Sequence, residues 1–329
     1  MGFTLGNTKL EYGIMLAPMA GFSDSAMRSI SREMGAEYSV TEMVSAKAVC
    51  FGDKKTVSLA AIRKEEGPVG LQIFGSEPDI MARAAEILSR GCGGEFVPPV
   101  AIDINMGCPV HKIFSNGEGS ALMKNPELIY RIVKATSSAV DLPVTVKLRR
   151  GVDSDSINAV ECALAAEEGG ARMICLHGRT RVEMYSGKVN RDIIRDVKKA
   201  LHIPLVANGD ITCGRDALDM LAYTGADGVA VGRGAVGNPF IFREILSALR
   251  GEDYTPPTRR EVVETALLQL SLSVEQKGER VAVPEARKQI ASYIHGFSGA
   301  ASIRARINEK DKYSEVREIL LSLLDTVQE

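Results

Sequence analysis

The chain has 329 residues, of which 45% are hydrophobic and 25% charged, with 31 Gly and 13 Pro. Those values exclude a disordered, collagenous or low-complexity polymer and leave room for one large domain with a small appendage. Lys and Arg number 40 against 42 Asp and Glu, a formal net charge of −2, which argues against bulk positive charge as a means of holding nucleic acid but leaves a local basic patch open.

In chain order, the opening segment MGFTLGNTKLEYGIML has neither a basic start nor a useful apolar run, so no signal peptide is expected. Gly6 stands where N-myristoylation needs Ser or Thr. Short apolar runs follow at 14–18, 38–40, 69–74, 101–105, 143–147, 173–177, 204–208 and 227–232. Between them lie helical patterns at 24–34, 79–90, 126–140, 154–168, 191–200 and 214–222. Asn125-Pro126 and Asp153–Asp155 carry helix-start chemistry, a capping side chain in both and an N1 proline in the first. Strand and helix alternating eight times over roughly 250 residues predicts a closed parallel (β/α)8 TIM barrel. A doubly wound open sheet would want a GxGxxG turn after an early strand, and the sequence has none. The segment GEDYTPP at 251–257 reads as a linker. Beyond it, helices are expected over 261–276, 284–295, 300–308 and 313–327, a small bundle. The expected division is a barrel over 1–250 and a helical domain over 251–329. No apolar run reaches the length of about 18 residues that a membrane span needs. The six cysteines form no CxxC pair and none lies near a His at metal-ligand spacing, so a reduced, cytoplasmic protein with no disulfide framework and no metal is expected.

The residue closing each run carries more information. The runs lead into Pro18-Met19, Glu42, Gln72, Asn105, Lys147 with Arg149, His177 with Arg179, Asn208-Gly209-Asp210, and Gly232-Arg233. In a barrel these ends converge on one mouth, where active sites are built. Amide, imidazole, ammonium and guanidinium groups together suit a large polar anion. The glycines and Arg233 after the last two strands suit its phosphate, because backbone N–H groups can approach there. Cys108 lies in a Gly- and Pro-punctuated loop, unlike the other five cysteines, and is either catalytic or an exposed loop thiol. His111 and Lys112 are the nearby cations expected to lower its pKa. From Ala286 to Asn308 the charged residues are Arg287, Lys288, Arg304 and Arg306, a local sum of +4 with no acid. By charge alone that stretch reads as a solvated helix face.

Several motifs taken together resemble a known family. They are APMAG at 17–21 with Asp24 and Arg28, Gln72, DINMGCP at 103–109 with Lys112, GSAL at 119–122, KLR at 147–149, HGRT at 177–180, NGD at 208–210 and Gly232-Arg233. In this order they match the tRNA-dihydrouridine synthases, and the chain looks most like the B-type bacterial subfamily. The resemblance implies an FMN-bound barrel that reduces the C5=C6 bond of selected uridines in tRNA with NADPH. It implies that Pro18, Met19 and Ala20 line the flavin, and that Gln72, Lys147 and His177 contact it. Asn208, Gly209, Asp210, Gly232 and Arg233 would hold its phosphate. Cys108 would be the general acid, and its pKa should then not be deeply depressed. Asn105, Arg149 and Arg179 would face the uracil or its phosphate. Lys112 and the basic bundle residues Arg287, Lys288, Arg304 and Arg306 would meet the tRNA. A monomer is the default expectation.

Four stretches depart from the family's pattern: GCGGEFVPPV at 91–100 reads as an insertion on the barrel's bottom face, IFSNGE at 113–118 is less basic than usual, Gly151-Val152-Asp153 lacks an aromatic, and His295 stands where a lysine is common. Two other readings remain at this point. One is a flavin barrel reducing a free pyrimidine or other small enone, which has no need of a basic appendage. The other is a non-enzymatic RNA-binding protein, which has no need of the set from Pro18 to Arg233.

Overall fold

The computed structural model describes residues 2–53, 56 and 59–325. The first elements are two strands that the sequence pattern does not announce, β1 (Phe3–Leu5) and β2 (Thr8–Leu10), paired antiparallel. Three-residue strands are too short to show a period. The Glu37 carboxylate fixes the turn that follows, accepting from the backbone N–H of Glu11 at 2.7 Å and Tyr12 at 3.0 Å.

The eight expected strands are all present: β3 (Ile14–Leu16), β4 (Tyr38–Val40), β6 (Val69–Phe74), β7 (Ala101–Met106), β8 (Val144–Arg149), β9 (Met173–His177), β10 (Leu205–Asn208) and β11 (Gly228–Val231). A two-residue strand, β5 (Val44–Ser45), extends the upper edge of β6. All barrel pairings are parallel, and β4 pairs with β6 while β3 pairs with β11, so the sheet closes on itself. A closed parallel sheet buries both faces, which is why the runs read as continuous Val, Ile and Leu instead of alternating.

Helices cover the outside and bury one apolar stripe each against the strands. Some of their starts carry a side-chain cap. Asp24 accepts from Met27 N at 3.0 Å, Asn125 from Leu128 N at 3.0 Å and Asn190 from Ile193 N at 2.9 Å. The helix expected from 154 instead begins at Ala159. Asp153 does cap, but it closes a tight turn, taking Ser156 Oγ at 2.7 Å and Asp155 N at 3.2 Å. Residues 91–100 approach β7 from the lower end of the barrel, where Val100 N donates to Val69 O at 2.9 Å.

Inside the barrel, Leu5 and Leu10 of the hairpin pack with Met15, Met173, Val206 and Ala230, so the N-terminal strands close the floor. Above that apolar layer the interior turns polar, with Gln72, Asp103, Asn105 and Thr145 all buried.

After the helix Ile241–Arg250 and an extended segment, four helices follow: Arg259–Lys277, Glu279–Tyr293, Ala300–Asn308 and Tyr313–Asp325. The first opens on a capping box between Thr258 and Glu261. The second starts five residues before the expected Pro284 and carries that proline inside it. The hydrogen bond forgone there is offset by burying Ala282, Val283 and Ala286. The last helix is expected from the sequence to reach Val327, and residues 326–329 lie outside the described residues. A separate apolar cluster, including Val263, Leu270, Ile290, Ile307 and Leu320, binds these helices to one another.

The bundle leans on the barrel's upper rim. Lys277 Nζ lies 2.7 Å from Asp24 Oδ2, and the Lys288 ammonium sits 5.6 Å from the Phe22 ring centre. Gly237 backs directly onto the bundle: a Cβ there would fall 2.5 Å from the Ser292 backbone carbon. Among the described residues, no helix is long and apolar enough to cross a membrane.

Candidate active site

The mouth is assembled from the ends of the strands, as the order of polar residues predicts. After β3, Ala17 N bonds to Val231 O at 2.8 Å and the chain turns at Pro18-Met19-Ala20. Ser23 stabilises the turn, its Oγ accepting from Met19 N at 2.8 Å, and Glu42 accepts from Gly21 N. This leaves Pro18 and Met19 half-buried and Ala20 exposed at the rim.

Three polar side chains meet at the centre, with His177 and Gln72 buried and Lys147 half-buried. Lys147 donates to Asn208 Oδ1 at 3.0 Å, and Asn208 in turn donates to Ala230 O at 2.7 Å. Burial pulls the Lys147 ammonium below its ordinary pKa, helped by Arg149 and opposed by Asp103 and Cys175. His177 is pulled down to about 2, first by burial and then by Lys147, Arg149, Arg179 and Arg233, so its imidazole is neutral. Gln72 holds Asp103 on one side and Asn105 on the other, at 2.7 and 2.9 Å.

The rim after β10 and β11 is backbone-rich. Gly209 has φ of 125°, and a Cβ there would lie 2.8 Å from Val189 Cγ2 and 3.0 Å from His177 Cδ2. Asp210 is left-handed with φ of 53°, a cost its carboxylate offsets by accepting from Arg179 Nη2 at 2.7 Å and Val189 N at 2.8 Å. Gly232 opens a single turn over Arg233–Ala235, and the half-exposed Arg233 lies 3.7 Å from Asp210 Oδ1.

Cys108 is 9% exposed, at the base of its loop rather than on it. Its N–H donates to Asn105 Oδ1 at 2.9 Å and its carbonyl accepts from Ser120 Oγ at 2.8 Å. His111 and Lys112 are the cations expected from the sequence to lower this thiol's pKa. Burial instead raises it, and the opposing influences are a backbone hydrogen bond from Val110 and the charge of Arg149. His111 and Lys112 point into solvent on the helical turn His111–Ser115.

Arg149 and Arg179 also reach the mouth, buried to 3% and 2% exposure. Arg149 donates to Gly107 O at 2.8 Å, Thr180 O at 2.7 Å and Met184 O at 3.0 Å, which ties the Cys108 loop to the loop after β9. Arg179 donates to Ser186 O at 2.9 Å and Gly187 O at 2.6 Å.

Sequence reasoning misses two aromatic residues here. Tyr185 is exposed, with Arg149 5.9 Å and Arg233 4.7 Å from its ring centre. Phe114 lies between Arg181 at 3.8 Å and Lys124 at 4.7 Å, a second clamp on the Cys108 loop. A lone aromatic in a polar loop is the one available signal. The basic bundle residues are spread out. Arg287 pairs with Asp311 at 2.7 Å, Lys288 covers Phe22, Arg304 is half-buried and Arg306 is exposed. Among the described residues no group of His, Cys, Asp and Glu could hold a metal ion.

Comparison with known proteins agrees with this geometry. A family model described as dihydrouridine synthase matches residues 15–328. A "Probable tRNA-dihydrouridine synthase" of Rickettsia conorii is 38% identical over 327 residues, covering 99% of this chain and 97% of that protein. The "tRNA-dihydrouridine synthase B" of Pseudomonas putida is 38% identical, covering 92% and 89% of the two chains. Its counterpart of the same name in Vibrio vulnificus is 37% identical, covering 98% and 99%. A family model spanning both barrel and bundle, with relatives matched over nearly their whole length, means that the chain belongs to the dihydrouridine synthase family.

Proposed function

We propose that this protein reduces the C5=C6 bond of selected uridines in tRNA to 5,6-dihydrouridine, with FMN bound at the barrel mouth and NADPH as reductant. The observation that carries the reading is a buried thiol kept protonated at the same mouth as a half-buried lysine and a neutral histidine. Full-length similarity to proteins named for that reaction supports it.

The residues present fit a flavin phosphate. Gly209, at a φ of 125° and packed against Val189 and His177, brings bare backbone to the rim, the adjacent single turn over Arg233–Ala235 opens on Gly232, and Arg233 is half-exposed beside them. Asn208, Gly209, Asp210, Gly232 and Arg233 hold that phosphate in this reading. Pro18, Met19 and Ala20 line the ring through backbone atoms, Lys147 and Gln72 face its polar edge, and His177 packs beside it. FMN, when bound, supplies hydride to C6 of the base.

Cys108 holds a proton at Sγ and delivers it to C5. Its raised pKa keeps the proton in place until the base becomes basic enough to take it. Asn105, Arg149 and Arg179 border the base and stabilise charge developing on its carbonyl oxygens. The uridine must leave its stack to arrive there. Lys112, Arg287, Lys288, Arg304 and Arg306 contact phosphates of the tRNA, and the helices over 251–329 act as its docking surface on the barrel over 1–250. Such an enzyme works in the cytoplasm as a monomer.

The test is reduction of bulk tRNA from a synthase-deficient strain, with dihydrouridine mapped by position. New dihydrouridine is expected from the yellow, NADPH-reduced protein, and a yellow protein that makes none would favour a small-molecule enone substrate. In the same assay Cys108→Ala should keep its flavin and its NADPH oxidation while losing at least about 100-fold in uridine reduction, the usual share of a positioned acid. Equal turnover by Cys108→Ala would remove Cys108 as the proton donor.

A further inference from the structure

Asp103 is a buried carboxylate to which the proposed function gives no work, at 2% exposure in the barrel interior. It sits two residues before Asn105 on β7, so both side chains point to the same face, into the barrel. The register sets Gln72 of β6 and Thr145 of β8 beside it on either hand. Thr145 Oγ1 donates to Asp103 Oδ1, and Gln72 Nε2 donates to Asp103 Oδ2 at 2.7 Å. Asn105 Nδ2 donates to Gln72 Oε1 at 2.9 Å. Asn105 Oδ1 then accepts from Cys108 N at 2.9 Å and Gly107 N at 3.2 Å.

An amide side chain can face either way, but these two are not free to choose. A carboxylate only accepts, so Gln72 must turn its NH2 toward Asp103 and its oxygen toward Asn105. Asn105 must then offer its NH2 to Gln72, which leaves its oxygen for the two backbone N–H groups of the cysteine loop. Reversing either amide would set donor against donor in a buried place. The chain of bonds therefore has one direction, fixed at one end by the Asp103 carboxylate and at the other by the backbone N–H groups of Gly107 and Cys108.

We propose that Asp103 is a positioning residue that anchors the far end of this buried hydrogen-bond chain and thereby holds the Asn105 oxygen on the Cys108 backbone, fixing the thiol over the mouth. The proposal rests on Cys108 as the proton donor. It also couples Gln72, assigned to the flavin edge, to the residue that delivers the proton.

The test moves the charge from one end of the chain to the other without changing side-chain volume. In Asn105→Asp both ends only accept, and Gln72 cannot serve both. Melting temperature should fall, and kcat for tRNA reduction should drop at least about tenfold with KM for tRNA little changed. In the double variant Asp103→Asn, Asn105→Asp, the whole chain can reverse. The carboxylate now at position 105 accepts from Gln72 Nε2 and from the loop, Gln72 Oε1 accepts from the new amide, and Thr145 still donates to position 103. Adding Asp103→Asn should therefore raise melting temperature and kcat by more in the Asn105→Asp background than in the native one, a coupling of about tenfold in kcat. Asp103→Asn alone should be mild, because Thr145 Oγ1 can also accept.

Two carboxylates repelling through space would give some rescue without any chain of bonds. The same comparison with Gln72→Leu in place separates the two: the coupling should disappear when the bridge is cut. A coupling of equal size without Gln72, or no coupling with it, overturns the proposal. The melting cycle needs no turnover, so it remains readable if the native protein reduces no tRNA uridine, the result that sinks the proposed function instead.

Discussion

His177 is the residue whose ionisation the fold has altered most clearly. Burial and four cations hold its folded pKa at about 2, against 6.5 for an ordinary histidine. The unfolded chain therefore binds a proton there that the folded chain refuses. Stability from this site is present in full above about pH 6.5 and is lost as pH falls from there toward 2, with a limiting slope of about 1.4 kcal/mol per pH unit. His177→Gln removes that dependence, so the native melting temperature should fall more steeply than the variant's below pH 6.5. Parallel acid-melting curves would show that His177 does not carry the effect. The polar groups that line the mouth are legible at this scale because most of them stand at or near the end of an apolar run. Their surroundings are not. His111 and Lys112 are near Cys108 in sequence, but the charge that reaches the thiol comes from Arg149, one strand away.

At the scale of elements, the eight barrel strands stand out because a twice-buried strand is a continuous apolar run, and capping residues such as Asp24, Asn125, Asn190 and Thr258 mark some of the helix starts. The misreadings have local causes. The hairpin β1–β2 is too short for a period, Asp153 caps a turn instead of a helix, and Pro284 sits within a helix whose upstream residues gain burial. Loops that meet only through space, such as Phe114 against Arg181, leave no trace in sequence order. The junction of β10 with its loop yields a direct test. Gly209→Ala would place a methyl group 2.8 Å from Val189 at a backbone angle that L-residues resist. Flavin affinity should fall at least about tenfold, or 1.4 kcal/mol, with a small loss of melting temperature. Titration of the apoprotein with FMN, followed by flavin fluorescence, measures it, and unchanged affinity would move the phosphate site elsewhere.

For the whole molecule, the question is how a bundle with its own core is held at a fixed place over the mouth. Lys277 joins the end of the first bundle helix to Asp24, which also caps the helix following the Pro18–Ala20 turn, and to Glu285 at 2.9 Å. Burial lowers the Lys277 pKa and the two carboxylates outweigh it, leaving a net rise. Lys277→Ala should loosen the docking and raise KM for tRNA about fivefold, the equivalent of 1 kcal/mol. NADPH oxidation without tRNA should be unchanged. An unaltered KM would mean that the apolar contacts and the close approach at Gly237 hold the bundle alone. The modest total charge of −2 agrees with docking by a few placed cations, Arg287 among them already paired to Asp311.

The hairpin beneath the barrel bears on how this interior answers a change of charge. Leu5 and Leu10 seal the floor with side chains, and the space left between that floor and the polar layer of Asp103 and Lys147 is about 10 Å³, room for one water at most. In a tube open at both ends, water dipoles would swing round whenever charge appeared above, and that rearrangement is a cost met on each turnover. In a cup with a greasy base the response comes from dipoles already pointing the right way, and the reorganisation energy is small. Two short strands at the start of the chain, far from any reacting atom, thus set how stiff the medium is in which the chemistry takes place.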